Sequence, residues 1–131
     1  MNKFFDLATK SLSKASGLSL TEVKKIIEIP SNSNLGDFSF PCFSIAKRQN
    51  PGNIALTIRK KLSVPRAFKK VEVMGPYLNF FINEKILAKE VISEISKYKH
   101  KYGSTNVGKG KKILIEHTSI NPNSSPHVGR A

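Results

Sequence analysis

Residues 68–83 read "FKKVEVMGPYLNFFIN". Two runs rich in β-branched and aromatic residues flank Gly75-Pro76, a dipeptide that turns the chain, so the stretch predicts an antiparallel hairpin. Side chains alternate across a strand, which sets Leu78, Phe80 and Ile82 on one face and Tyr77, Asn79 and Phe81 on the other. The first trio is uniformly apolar and predicts the core side. The second places an amide between two aromatics, a pattern suited to stacking on a splayed base and reading its edge. The competing structural reading packs Phe81 under a loop and leaves Tyr77 as an apolar edge.

Upstream, "VKKIIEIP" (23–30) reads as a first strand, and the alternation of Phe38 and Phe40 after the polar turn "SNSNLGD" reads as a second that pairs with it. Phe4, Ala8 and Leu12 recur every four residues and predict a helix over 3–14, ended by Gly17. "PCFSIAKRQ" and "PGNIALTIRKKL" predict two helical pieces. Asn50 stands as N-cap before Pro51, and Ile54, Ile58 and Leu62 face the core. Downstream of the hairpin, Asn83 caps a long helix with Leu87, Val91, Ile95, Tyr98 and Tyr102 on one stripe. The expected fold class is α+β: a two-layer domain with a four-stranded, mainly antiparallel sheet and helices on one face, the other face staying available.

"GSTNVGKGKK" (103–112) is rich in glycine and lysine and poor in apolar residues, so a linker is expected at 103–111. It separates a domain at 1–102 from residues 112–131. There "KILIEH" has the β-branched character of a buried parallel strand and begins a truncated nucleotide-binding α/β fold. Ser125 can cap a following helix with Pro126 at its first position. His127 then sits in the first turn, where unpaired amides and the helix dipole attract phosphate, and Gly129 lets a flat ligand approach the backbone.

Of the 131 residues, 22 are lysine or arginine and 9 are acidic, giving a formal charge of +13 and a field that favours polyanions, nucleic acid first. "RKKLSVPRAFKK" (59–70) concentrates six cations with no acid among them. No apolar run approaches the roughly 20 residues of a membrane-spanning helix, and the amino end has no secretory apolar core. A cytoplasmic protein with no membrane partner is expected. The single cysteine, Cys42, reads as a small buried apolar side chain, and no metal site is expected.

"ILIEHTSINPNSSPHVGRA" (113–131) resembles the first signature of class I aminoacyl-tRNA synthetases in the form found in arginyl-tRNA synthetases. The pieces that match are the strand ending in Glu116, then Ser119, Asn121 and Pro122, then His127 to Gly129. Upstream, "LGDFSF", "SIAK", "NPGNIA" and "VMGPYLNFFIN" are similar in order to that family's amino-terminal additional domain. The resemblance therefore covers nearly the whole chain from about residue 25.

The resemblance implies an arginine–tRNA ligase as the full-length parent, with ATP (and Mg) and L-arginine as substrates and arginine-specific tRNA as partner. This piece alone is expected to be inactive, without a cofactor of its own, and monomeric. His127 and the backbone at Gly129 would contact ATP, the imidazole donating to the α-phosphate as charge grows there. Arg130 replaces the second histidine common at that position. Glu116, Ser119 and Asn121 would hold the arginine substrate. Tyr77 and Asn79 match positions that contact a nucleotide of the tRNA D-loop, with Phe81 beside them and the basic cluster, Lys69 and Lys70 included, on phosphates. Two other readings remain: a freestanding basic RNA-binding module without catalysis, and an interaction domain on a larger basic assembly such as the ribosome.

Overall fold

The computed structural model describes residues 2–115. The chain divides into two compact units, Met1–Lys97 and Tyr98–Ala131. In the first, helices α1 (Asn2–Ser16) and α2 (Leu20–Ile26) precede strand β1 (Phe38–Pro41). The short α3 (Phe43–Ala46), α4 (Pro51–Lys61), strands β2 (Phe68–Met74) and β3 (Tyr77–Ile82), and α5 (Glu84–Tyr98) follow. Helix α1 buries Phe4, Ala8 and Leu12, as their spacing requires, and ends at Gly17, whose φ of 78° is open to glycine. The Asn50 side chain accepts from the amides of Gly52 and Asn53 to start α4, and Asn83 does the same for Lys85 and Ile86 at the start of α5.

Among the described residues the sheet has three antiparallel strands in the order β1-β3-β2, where four were expected. Of the run 23–30 expected as a strand, residues 23–26 are helical and belong to α2. Ser19 and Glu22 form a reciprocal capping box, and the Ser19 hydroxyl and amide hold the Glu22 carboxyl below its ordinary pKa. Val23 and Ile27, four apart, are both buried, a helical period that overrides the β-branched composition. What remains of the expected first hairpin is one bridge, in which Glu28 and Ser39 exchange both backbone hydrogen bonds at 2.9 and 2.8 Å. The phenylalanine strand instead pairs with β3.

Residues 112–115 pair with no strand among the described residues, and Ile113, Leu114 and Ile115 are exposed. A parallel strand exists only against neighbours, and the described chain supplies none there. The stripe expected along α5 is buried only at its start: Leu87 packs against the core, whereas Ile95, Tyr98 and Tyr102 are exposed.

Register assigns the two sheet faces. On one, Phe38, Phe80 and Val71 lie in a row, as do Phe40, Leu78 and Val73, and α1, α2 and α4 contribute to the core beneath them. Phe68 meets Phe38 and Phe80 edge-on at centroid distances of 6.4 and 5.2 Å, the arrangement aromatic quadrupoles favour. On the other face the rows are Pro41, Tyr77 and Met74, then Ser39, Asn79 and Glu72, then Phe81 with Lys70. The "LGDF" stretch fastens the end of β3 on the side of β1. Asp37 donates its amide to the Phe80 carbonyl at 2.8 Å and accepts from the Ile82 amide at 2.7 Å. Gly36 (φ 98°) comes so close that a Cβ there would lie 2.7 Å from the Phe80 carbonyl oxygen.

Candidate nucleic-acid interface

The face of the sheet turned away from the core helices carries Tyr77, Asn79 and Phe81, as the alternation requires, but it is not an open platform. Residues 28–31 and Leu35, the polar Glu28 and Ser31 among them, line an open cavity of about 530 Å³ against it together with Met74 and Tyr77. Its walls are largely apolar, formed by Ile29, Pro30, Leu35, Met74 and Tyr77, and Asn79 and Ser39 also line it. Ile29, Leu35 and Met74 are exposed large apolar side chains, whereas Asn79 and Ser39 are 2% and 3% exposed. A flat ring fits such a site, burying its faces against apolar side chains while polar groups meet its edge.

The Asn79 amide is held on both sides. Its Oδ1 accepts from the Ser39 hydroxyl at 2.7 Å, and its Nδ2 donates to the Met74 sulfur at 3.1 Å. Tyr77 is half-buried, and its ring meets that of Phe43 edge-on, with centroids 5.5 Å apart. Phe43 itself is more than half exposed. It reaches this position because β1 runs out beside the hairpin turn, where the Cys42 amide donates to the Pro76 carbonyl at 2.9 Å. Phe43 went unnoticed in the sequence because the contact depends on β1 pairing with β3.

Phe81 belongs to a different place. With Lys69 and Lys70 it lines a smaller cavity of about 210 Å³ that shares no residue with the first. The Lys70 ammonium lies 4.4 Å from the centre of the Phe81 ring and bonds the Glu72 carboxylate at 2.7 Å, so its charge is partly answered within the protein. Lys69 is the extra residue of a β-bulge, since Phe68 faces Ile82 and Lys70 faces Phe81, and it is exposed. Bulges re-aim side chains in this way. In the same basic run, Arg59 donates from Nε to the Val71 carbonyl at 2.8 Å, which ties α4 to β2.

Cys42 is buried, and burial pushes its thiol up to about 11. Among the described residues no three His, Cys, Asp or Glu gather as a metal site, and no helix is long and apolar enough to cross a membrane. The candidate catalytic and arginine-binding positions, His127, Gly129, Arg130, Glu116, Ser119 and Asn121, lie outside the described residues.

The family model described as "Arginyl tRNA synthetase N terminal domain" matches residues 3–82. Proteins named arginine–tRNA ligase are similar along most of the chain. That of Clostridium acetobutylicum is 42% identical over 120 residues, covering 90% of this chain and 21% of its own length. That of Clostridium botulinum is 38% identical over 126 residues, covering 95% and 22%. The chain thus spans about a fifth of the length of these relatives. Among solved structures, Thermus thermophilus arginyl-tRNA synthetase superposes with a TM-score of 0.53 at 24% identity, over 94% of this chain and 20% of that one, a likeness of fold. With the family model matching from α1 through the last strand of the sheet, the chain belongs to the arginyl-tRNA synthetase N-terminal domain family.

Proposed function

We propose that this domain docks on the D-loop corner of arginine tRNA, with Tyr77 and Asn79 taking one unpaired nucleotide into the cavity they line. The observation that carries the reading is the buried Asn79 amide beside apolar walls and a half-buried tyrosine, a site with stacking surface and one polar reader. Phe43, which the sequence did not reveal, extends the aromatic surface next to Tyr77. Lys69, Lys70 and the neighbouring cations contact phosphates and set the orientation of the docked RNA, whereas Asn79 supplies discrimination. Phe81 supports Lys70 beneath the RNA backbone and does not stack on the same base.

In this reading residues 1–102 form the tRNA-binding domain, 103–111 the linker, and 112–131 the start of the catalytic domain. The full-length parent activates L-arginine with ATP and Mg and transfers it to tRNA in the cytoplasm. His127, the Gly129 backbone and Arg130 serve the ATP phosphates, and Glu116, Ser119 and Asn121 hold arginine. The 131-residue chain is inactive alone and monomeric. The similarity to arginine–tRNA ligases along 95% of the chain favours this reading over a freestanding RNA-binding module. Nuclease footprinting of arginine tRNA tests the docking site: protection centred on the D-loop is expected, and protection confined to the anticodon or acceptor arm would refute it.

A further inference from the structure

We infer that Ser39 is a positioning residue for nucleotide recognition: its buried hydroxyl anchors the Asn79 side-chain amide at the cavity wall, so that the amide meets a base edge already ordered. The inference rests on the reading of Asn79 as the base-contacting residue and names what holds that residue's amide in place.

Ser39 and Asn79 are direct partners across the β1–β3 ladder, so their side chains stand on the same sheet face. Both are almost fully buried. The Ser39 hydroxyl donates to Asn79 Oδ1 at 2.7 Å, and Ser39 is itself held by the two backbone bonds it exchanges with Glu28. On the other side, Asn79 Nδ2 donates to Met74 Sδ at 3.1 Å. A thioether can accept but has no proton to give. Rotating the amide by half a turn would set Oδ1 against that sulfur and forfeit a hydrogen bond in a buried place. Met74 therefore selects the orientation, with the carbonyl on Ser39 and the donor toward Met74, and the Ser39 hydroxyl, which can accept as well as donate, fixes the place of the amide.

Met74 lies at the cavity wall, is 40% exposed, and has an unbranched, easily rearranged side chain. An incoming ring can displace its sulfur and put a ring nitrogen or carbonyl oxygen in the same place on Nδ2. Ser39 cannot be displaced so cheaply, because it is buried and its backbone is bonded to Glu28. Through the exchange it keeps Oδ1 hydrogen-bonded and the amide in place, while Nδ2 donates to the ligand.

The test uses the whole chain and arginine tRNA transcripts in which each unpaired D-loop nucleotide is changed in turn, with the Asn79 side-chain amide followed by NMR. The unmodified protein should discriminate at one position and show two resolved, protected Asn79 NH2 signals. Ser39→Ala should merge or expose those signals and lower discrimination at that position by about tenfold, while affinity for unrelated tRNA stays unchanged. Ser39→Thr, which keeps the hydroxyl, should restore both. If Ser39→Ala does not fold, Ser39→Cys keeps a similar volume with a weaker donor and reads the same way. Undiminished discrimination in Ser39→Ala or, where that does not fold, in Ser39→Cys, with Asn79→Ala losing it, overturns the positioning role and leaves base reading by Asn79 intact. Undiminished discrimination in Asn79→Ala overturns the base-reading role and this inference with it.

Discussion

The Phe43 ring meets the Tyr77 ring edge-on at a centroid distance of 5.5 Å, joining a short helix after β1 to the first residue of β3. The contact limits how the tyrosine can rotate over the cavity. Phe43→Ala should therefore weaken tRNA binding by about 0.5–1.5 kcal/mol, the range of such aromatic pairs, while thermal stability changes little because Phe43 is more than half exposed. Titration of labelled tRNA alongside a melting curve checks both. A large loss of stability with unchanged affinity would show that Phe43 holds the fold and not the tyrosine.

Gly36 allows a close backbone approach to the central strand β3. With φ at 98° and a Cβ position 2.7 Å from the Phe80 carbonyl oxygen, Gly36→Ala has to break the Asp37–Phe80 backbone bond or distort β3. Unfolding in urea should show a loss of about 2–4 kcal/mol. Gly17→Ala is the control: Gly17 also has positive φ but no atom within 4 Å of the added Cβ, and it should cost about 1–2 kcal/mol.

The buried thiol of Cys42 should react with a disulfide reagent only when the domain opens, so labelling at neutral pH follows the unfolding equilibrium. The folded thiol stays protonated up to about 11, against 9.0 for the free group. The folded state then binds more protons across that interval, and stability falls as pH rises from 9.0 through about 11. Cys42→Ala should flatten that part of the stability–pH curve. Rapid stoichiometric labelling of the folded protein would contradict the burial argument.

Affinity for tRNA should fall steeply with salt, because cations on the protein release counterions from phosphates. Lys69, the exposed extra residue of the bulge, should contribute more than Lys70, whose ammonium is shared with Glu72 and the Phe81 ring. Lys69→Ala should reduce the slope of log K against log salt by roughly one and weaken all tRNAs alike, and Lys70→Ala should do less. An affinity that stays flat between low and physiological salt would remove the electrostatic account.

Period-two alternation in 77–82 was enough to separate the core face from the second face, and the Gly75-Pro76 turn and the Asn50 cap were legible because each rests on local backbone chemistry. Local chemistry was also available at 19–22, where Ser19 and Glu22 spell a capping box, yet the β-branched run after it pointed to a strand. Tertiary contacts decided the rest. That β1 would pair with β3, that Phe43 would reach Tyr77, and that residues 28–31 and Leu35 would line a cavity with Asn79 and Ser39 all depend on long-range register. The α5 stripe shows the converse, since an apolar period is written in the sequence whether or not the described residues cover it.

The central claim is that Asn79 and Tyr77 read a nucleotide while the lysines only position the RNA. Equilibrium binding of the chain to arginine tRNA and to a non-cognate tRNA, for the unmodified protein and for Asn79→Ala and Tyr77→Ala, tests it most directly. The account predicts that each substitution lowers affinity for arginine tRNA by about 1–3 kcal/mol, as loss of one base contact does, and leaves the non-cognate tRNA nearly unaffected. Equal weakening of both tRNAs by Asn79→Ala, with the fold intact by circular dichroism, would contradict it.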